Sequence, residues 1–159
     1  MKHTVSVLVA NESGVLARIA SLFSRRGFNI ESLSVGKTDN DEISRITLVV
    51  EGNDRVLEQL TKQLNKLIVV HKISDLTKES VVSRGLALIK VKATATTRSE
   101  IMQIVDIFRG KIVDVASNSI MVEITGNEDK ITAIEELLRP FGIKELVRTG
   151  KIAMARGKK

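Results

Sequence analysis

The chain contains the same order of strand and helix patterns twice, and this internal repeat limits the folds that it can adopt. In the first half, apolar residues alternate over 4–9 as in a strand and recur at helical spacing over 16–23. Two further strand patterns, at 30–37 and 42–51, flank the turn sequence TDND. A helical pattern at 56–67 and the apolar stretch IVVHKISDL complete the order β-α-β-β-α-β. This order predicts a ferredoxin-like module.

The second half repeats that order with similar turn residues. The strand GLALIKVKA precedes a helical pattern that Thr97-Arg98-Ser99-Glu100 opens and Gly110 ends, and Gly126-Asn127-Glu128 takes the place of Gly52-Asn53-Asp54. IKELVRTGKIAMA is predicted as the last strand. We therefore predict an α+β protein of two ferredoxin-like βαββαβ modules. The predicted boundaries are 1–77 for the first module, 78–84 for a linker and 85–159 for the second module.

The composition is that of an ordinary globular protein. Of the 159 residues, 43% are hydrophobic and 28% are charged, which is sufficient to bury a core. The chain has no cysteine, which excludes disulfides, thiolate metal ligands and a cysteine nucleophile. The N-terminal sequence MKHTVSVLVANESG lacks the apolar region of a signal peptide, and no run approaches 18 apolar residues. We expect a cytoplasmic protein without a membrane span.

Positive charge is concentrated in the second half of the chain. The formal net charge is +6, and residues 1–76 have 10 Lys+Arg against 9 Asp+Glu, while residues 77–159 have 15 against 10. A basic protein is a candidate for nucleic-acid binding. Four Phe and no Tyr or Trp, however, leave few rings on which single-stranded bases could stack. A basic RNA-binding module therefore stays open as an alternative, and nucleic acid is not the expected partner.

The sequence contains no convincing catalytic set and no strong metal site. His3 and His71 have no Cys, His or acidic residue at ligand spacing, and we expect them to be structural or solvent-facing. Asp39, Asp41 and Glu42 crowd one turn, where a polar hairpin tip is favoured over a weak divalent-ion site. Zinc-protease, dinucleotide-binding and nucleophile-elbow signatures are absent. We expect a chain without catalytic or metal-ligating residues.

The candidate binding residues surround the sequence NESG, residues 11–14, where the first helix begins. The leading N–H groups of a helix lack helical partners and carry the positive end of its dipole, so they attract a carboxylate. Gly14 would leave the N–H groups of Val15 and Leu16 accessible. Asn11 and Asn29, at a strand end and a strand start, each carry an oxygen that can accept from an ammonium group. These groups together predict a site for a small α-amino acid.

A purely structural interpretation of the same residues is also open. Ser13 or Asn11 could cap the helix, because both residue types are favoured at that position. Asn29 could occupy a turn conformation that asparagine tolerates better than other residues. In that case the segment would stabilise the fold and bind nothing.

The strand at 30–37 is expected at an edge of the first sheet and carries Leu33 and Val35. An exposed apolar edge of this kind requires a partner, and a small module gains stability from pairing. Two copies paired side by side could bring the NESG loop of one chain to Asn29 of the other. The apolar walls of the site would come from Val15, Leu16, Ile30 and Val35.

Three long stretches carry a family resemblance. The runs NESGVLARIASLFSRRGFNIESLSV and SRITLVVEGNDRVLEQLTKQLNKLIVVHKISDL resemble the ACT domain of the small regulatory subunit of acetolactate synthase, also called acetohydroxyacid synthase. The later run IFRGKIVDVASNSIMVEITG resembles the C-terminal domain of that subunit. The resemblance implies a cytosolic homodimer, formed through the ACT domain, that associates with the catalytic large subunit. It also implies that the dimer raises the activity of that subunit and confers feedback inhibition by valine.

The resemblance also assigns residues. The family's effector motif maps onto Asn11, Gly14, Val15 and Leu16 of one chain and onto Asn29 and Ile30 of its dimer mate. Thiamine diphosphate, magnesium and FAD belong to the catalytic partner in this family, so no cofactor is expected in this chain. The C-terminal module reads TATTRSE where the first module has NESG, and we expect it to make the activating contact. A free-standing ACT-type sensor of another amino acid is the alternative.

Overall fold

The computed structural model describes residues 1–158 and divides into two compact units. The first unit comprises Met1–Val82 and the segment that begins at Lys151, and the second comprises Ser83–Gly150. Each unit contains one β-α-β-β-α-β succession, which confirms the predicted α+β class and the predicted repeat. No helix within residues 1–158 has the length and apolar character that a membrane crossing requires.

The first unit is built on a four-stranded antiparallel sheet. Its strand order is β2-β3-β1-β4, so β1 lies in the middle of the sheet and β2 forms an edge, as predicted. The elements of this unit are β1 (Lys2–Ala10), α1 (Val15–Arg26), β2 (Asn29–Lys37), β3 (Ile43–Glu51), α2 (Asp54–Asn65) and β4 (Val70–Asp75).

Both helices of the first unit cover the same face of the sheet. Residues directly opposite each other in β1 and β3, such as Val7 and Ile46, point to that face and are fully buried. Ile19 of α1 and Leu60 of α2 pack on them in one apolar cluster. The side chain of Asn53 accepts a hydrogen bond from the N–H of Val56 at 3.0 Å and caps α2, as its position in the sequence predicts.

The second unit repeats the arrangement. Its strand order is β6-β7-β5-β8, and the apolar residues Ile89, Val122 and Ile134 belong to its core. The Asn127 side chain accepts from the N–H of Lys130 at 2.9 Å and caps α4, like Asn53 in the first unit. The elements are β5 (Val81–Lys92), α3 (Arg98–Ile107), β6 (Lys111–Val115), β7 (Ser119–Gly126), α4 (Glu128–Leu138), a 3-10 turn (Arg139–Phe141) and β8 (Ile143–Arg148).

The structure corrects the predicted course of the last strand. IKELVRTGKIAMA forms two strands, β8 and β9 (Ile152–Ala155), and β9 pairs with β5. At the end of β8, the Thr149 hydroxyl accepts from the N–H of Leu86 and the Thr149 N–H donates to the carbonyl of Leu86, both at 2.9 Å. The chain then leaves the second unit, so its C-terminal segment does not belong to the module predicted at 85–159. Residues 81–84, predicted as linker, form the start of β5.

The end of α3 also differs from expectation. Gly110 was expected to stop the helix, but the left-handed residue there is Arg109, with φ of 56°. The N–H of Gly110 donates to the carbonyl of Val105 at 2.9 Å. A Cβ atom at position 110 would lie 3.2 Å from the carbonyl oxygen of Glu123. Glycine is therefore favoured at 110 by a close backbone approach, not by a positive φ.

We predict that Leu60→Ala destabilises the protein by about 2 to 5 kcal/mol, because this side chain is fully buried and its removal leaves a cavity. Ile68→Ala is the matched control, since Ile68 is 97% exposed and its truncation should change the free energy of unfolding by less than about 0.5 kcal/mol. Urea denaturation followed by circular dichroism measures both. Equal midpoints for the two variants would contradict the assigned core.

Candidate functional site

The first turn of α1 exposes backbone donors. Gly14 precedes the helix with φ of 85° and ψ of −8°, and no side chain caps the helix there, so neither Ser13 nor Asn11 has the capping role of the structural interpretation. The N–H of Val15 reaches the carbonyl of Glu12 at 3.4 Å. The N–H groups of Leu16 and Ala17 have no hydrogen-bond partner within residues 1–158. The open donors are therefore those of Leu16 and Ala17, one residue later than predicted.

Electrostatics also distinguish α1 from the other α-helices of residues 1–158. It has no acidic residue in its first turn, whereas α2, α3 and α4 have Asp54, Glu100 and the pair Glu128 and Asp129. A carboxylate in the first turn neutralises the positive end of the helix dipole and repels an external anion. No carboxylate within the first turn of α1 offsets its dipole, so among these helix starts it is the one best suited to binding a carboxylate.

Asn11 lies beside this helix start and is fixed by the turn between β2 and β3. Its Nδ2 donates to the carbonyl of Asp41 and its backbone N–H donates to the carbonyl of Glu42, both at 2.8 Å. The Oδ1 atom makes no hydrogen bond within residues 1–158 and is available as an acceptor. Asn11 is therefore held in place by its donors while its oxygen stays exposed, which suits a partner with N–H groups.

The turn that holds Asn11 is a polar hairpin tip. Asn40 accepts from the N–H of Glu42 at 2.9 Å, and Lys37 lies 3.9 Å from Asp41 in an exposed ion pair. Within residues 1–158, no group of three or more His, Cys, Asp or Glu residues is arranged to hold a metal ion. These hydrogen bonds and the ion pair place the acidic residues of the turn at an exposed hairpin tip.

Asn29 and Ile30 lie at the opposite end of the sheet from Asn11. Asn29 is opposite Glu51, at the far end of β3, whereas Asn11 follows Ala10, which is opposite Ile43. Nine residues of β2 separate the two ends, and at a rise of about 3.3 Å per residue this strand spans roughly 26 Å. One chain therefore brings Asn11, Gly14 and Leu16 together but does not bring Asn29 or Ile30 to them.

The apolar residues near these positions differ in exposure. Val15 is 5% exposed and belongs to the core, so it can offer a ligand only its backbone. Ile30 is half-buried against the same core. Leu16 and Val35 are 45% and 44% exposed, and Leu33, which the sequence did not single out as a wall, is 40% exposed on the same face of β2 as Val35. Leu33 and Val35 are two residues apart in a strand, and this spacing in the sequence indicates that both side chains lie on one face.

Beside Ile30, strand β2 contains a bulge at Glu31. The register shifts there, because Ile30 is opposite Val50 and Ser32 is opposite Val49. Lys2 lies 3.0 Å from the Glu31 carboxylate, and its hydrogen bond holds the pKa of that carboxyl below the usual value, against a smaller opposing effect of desolvation. The ion pair is exposed and adds little to stability.

The two histidines are placed as expected. His3 is buried, with Nε2 at 3.0 Å from the carbonyl oxygen of Gly52, and His71 is exposed on β4.

Family models match both halves of the chain. Residues 5–72 match the model described as an AHAS small subunit-like ACT domain, and residues 84–157 match the model described as the small subunit of acetolactate synthase. The chain belongs to the acetolactate synthase small subunit family. The family and the ACT domain predicted from the sequence are confirmed. Within this ACT domain, the predicted effector residues lie in the loop before α1, in the first turn of α1 and at the start of β2.

Similar proteins agree over nearly the full length. A protein of Archaeoglobus fulgidus named probable acetolactate synthase small subunit is 58% identical over 159 residues, which cover 100% of this chain and 99% of the relative. The acetolactate synthase small subunit of Mycolicibacterium smegmatis is 53% identical over 155 residues, covering 98% and 91%. The crystal structure of the acetolactate synthase small subunit of Thermotoga maritima superposes with a TM-score of 0.93 at 42% identity, covering 100% and 99%.

Proposed function

We propose that this chain is the non-catalytic regulatory subunit of an acetolactate synthase. In this proposal it binds valine at its ACT domain, activates the catalytic large subunit and inhibits that subunit when valine is bound. The observation that carries the proposal is the open start of α1, where the N–H groups of Leu16 and Ala17 are unpaired within residues 1–158 and the first turn has no acidic side chain. Membership of the acetolactate synthase small subunit family implies that the partner is a catalytic large subunit.

The chemistry of the site fits an amino acid. The valine carboxylate accepts from the N–H groups of Leu16 and Ala17 and gains from the helix dipole. The ammonium donates to Oδ1 of Asn11 and to Oδ1 of Asn29 from a second chain. The isopropyl group lies against the exposed side chains of Leu16 and Val35. Gly14 admits the ligand because it has no side chain above these donors.

A second copy of the chain completes the site. An edge strand with exposed Leu33 and Val35 pairs favourably with its own copy in antiparallel orientation about a two-fold axis. In that orientation the Asn29 end of one β2 lies beside the Lys37 end of the other, which is the end where Asn11 is located. The two halves of the site lie roughly 26 Å apart within one chain, and this pairing brings one half from each chain together.

Regulation requires that valine distinguishes two states of the assembly. Valine must bind the inhibited state more tightly than the active state, since equal affinities shift no equilibrium. Such coupling is typically worth about 1 to 3 kcal/mol. The activating contact is assigned to the C-terminal domain, whose equivalent helix start is crowded by the Thr94 and Thr97 hydroxyls and carries Glu100. The complex is cytoplasmic, and thiamine diphosphate, magnesium and FAD are held by the catalytic partner.

We predict that Gly14→Asp abolishes valine binding and valine inhibition but retains activation of the catalytic subunit. The aspartate places a negative charge where the valine carboxylate binds. Gly14→Asn is the matched control, because asparagine has the same shape and also tolerates positive φ but carries no charge. Calorimetric titration with valine, and acetolactate formation by the assembled enzyme with and without valine, give the two readouts.

The asparagine variant should bind valine more tightly than the aspartate variant, by about 10-fold or more, the size expected for a charged interaction. Isoleucine and leucine, each one methylene larger, are the ligand controls, and an apolar pocket separates them from valine by about 10- to 200-fold at most. Full valine inhibition in Gly14→Asp would show that the carboxylate binds elsewhere.

We predict that Val35→Lys converts a dimer to a monomer, because it places a charge in the proposed β2 pairing. Val147→Lys is the control, since Val147 is 58% exposed on an edge strand of the other sheet and lies outside that interface. Analytical ultracentrifugation measures the mass of each variant. A monomeric wild-type protein, or a dimeric Val35→Lys variant, would contradict pairing through β2.

A further inference from the structure

The C-terminal segment 151–158 is attached to the strand that carries Asn29. The backbone N–H of Lys151 donates to the hydroxyl oxygen of Ser32 at 3.1 Å, a contact between residues 119 positions apart in sequence. The segment is held at a second point, where the N–H of Arg156 donates to the carbonyl of Ser80 at 2.8 Å. Ala153, between these two points, is buried. The segment is therefore fixed to the first unit over most of its length.

Ser32 reaches Lys151 because of the bulge in β2. Ile30 and Leu33 both point to the helix-covered face, with Val50 and Leu48 opposite them, and the extra residue at Glu31 directs Ser32 to the other face. A bulge disrupts the hydrogen-bond ladder locally and re-aims the side chains beside it. The Lys151 contact is thus two residues from Ile30 and three from Asn29, on the strand that the ligand would contact.

The surroundings of the contact favour a well-defined hydrogen bond. Val49, opposite Ser32, and Thr4, opposite Val49 on β1, are both buried although they lie on the face that the helices leave open. The hydrogen bond itself is partly buried, which strengthens it relative to a fully exposed one. Lys151 is also joined directly to Gly150, the last residue of the second unit. Ser32 is therefore hydrogen-bonded to a residue that a single peptide bond joins to the second unit.

We propose that Ser32 is a positioning residue that couples movement of β2 on ligand binding to the C-terminal domain through Lys151. The proposal rests on the proposed function, since it requires that valine bind at β2 and that the C-terminal domain contact the catalytic subunit. Coupling between sites needs a physical connection that both sites can bias, and the hydrogen bond between Ser32 and Lys151 is the connection proposed here.

The test uses Ser32→Ala in the full chain, assembled with the catalytic subunit. The variant should bind valine with the affinity of the wild-type protein, while the valine concentration for half-inhibition rises about two- to tenfold, the range for loss of one neutral hydrogen bond. Ser32→Thr keeps the hydroxyl and should restore inhibition. Ser34→Ala is the matched control, because Ser34 lies on the same face of β2 and its hydroxyl makes no hydrogen bond within residues 1–158.

Hydrogen exchange supplies a readout independent of activity. Valine should change the exchange rate of the peptide that contains Lys151 in the wild-type chain and in Ser34→Ala, but not in Ser32→Ala. Normal inhibition in Ser32→Ala, an equal loss in Ser34→Ala, or loss of valine binding itself in Ser32→Ala would each overturn the coupling role. Absence of valine binding and inhibition in the wild-type assembly would instead overturn the proposed function, and this proposal with it.

Discussion

The position of β1 in the middle of the first sheet determines where every other functional element lies. Because β1 pairs with β3 on one side and β4 on the other, its last residue is next to the turn between β2 and β3. The chain leaves β1 through Asn11, which that turn fixes by two hydrogen bonds. The same strand order leaves β2 at the edge with its apolar residues exposed. The helix start and the edge strand are therefore consequences of one topology.

The start of α1 lacks two stabilising features that other helices of this fold have. Asparagine side chains cap α2 and α4, and each of the other α-helices in residues 1–158 has an acidic residue in its first turn. Helix α1 has neither a side-chain cap at Gly14 nor an acidic residue in its first turn. An asparagine N-cap typically stabilises a protein by about 1 kcal/mol. A ligand carboxylate would recover both contributions, because it accepts from the open donors and complements the dipole.

Much of this arrangement follows from local sequence patterns, and the exceptions have identifiable causes. Strand alternation and helical spacing predict the repeat and the caps Asn53 and Asn127, since each depends on neighbouring residues. The edge position of β2 follows from the ferredoxin-like strand order that the repeat predicts. The unpaired N–H of Ala17 depends on the turn conformation before α1, and the burial of Val15 depends on how α1 packs on the sheet. Local sequence patterns fix neither of them. The hydrogen bond that follows the break after β8 joins Lys151 to Ser32, 119 residues away, and a contact at that separation leaves no local pattern.

The central claim is that the amino-acid site is shared between two chains, and a mixed dimer tests it most directly. Chains with Gly14→Asp and chains with Asn29→Ala are co-expressed with different tags, and the heterodimer is isolated and titrated with valine. If the site is shared, each homodimer is defective at both sites, whereas the heterodimer combines the intact loop of one chain with the intact Asn29 of the other. The account predicts one valine bound per heterodimer. A heterodimer that binds no valine, or a Gly14→Asp homodimer that binds it normally, would contradict the account.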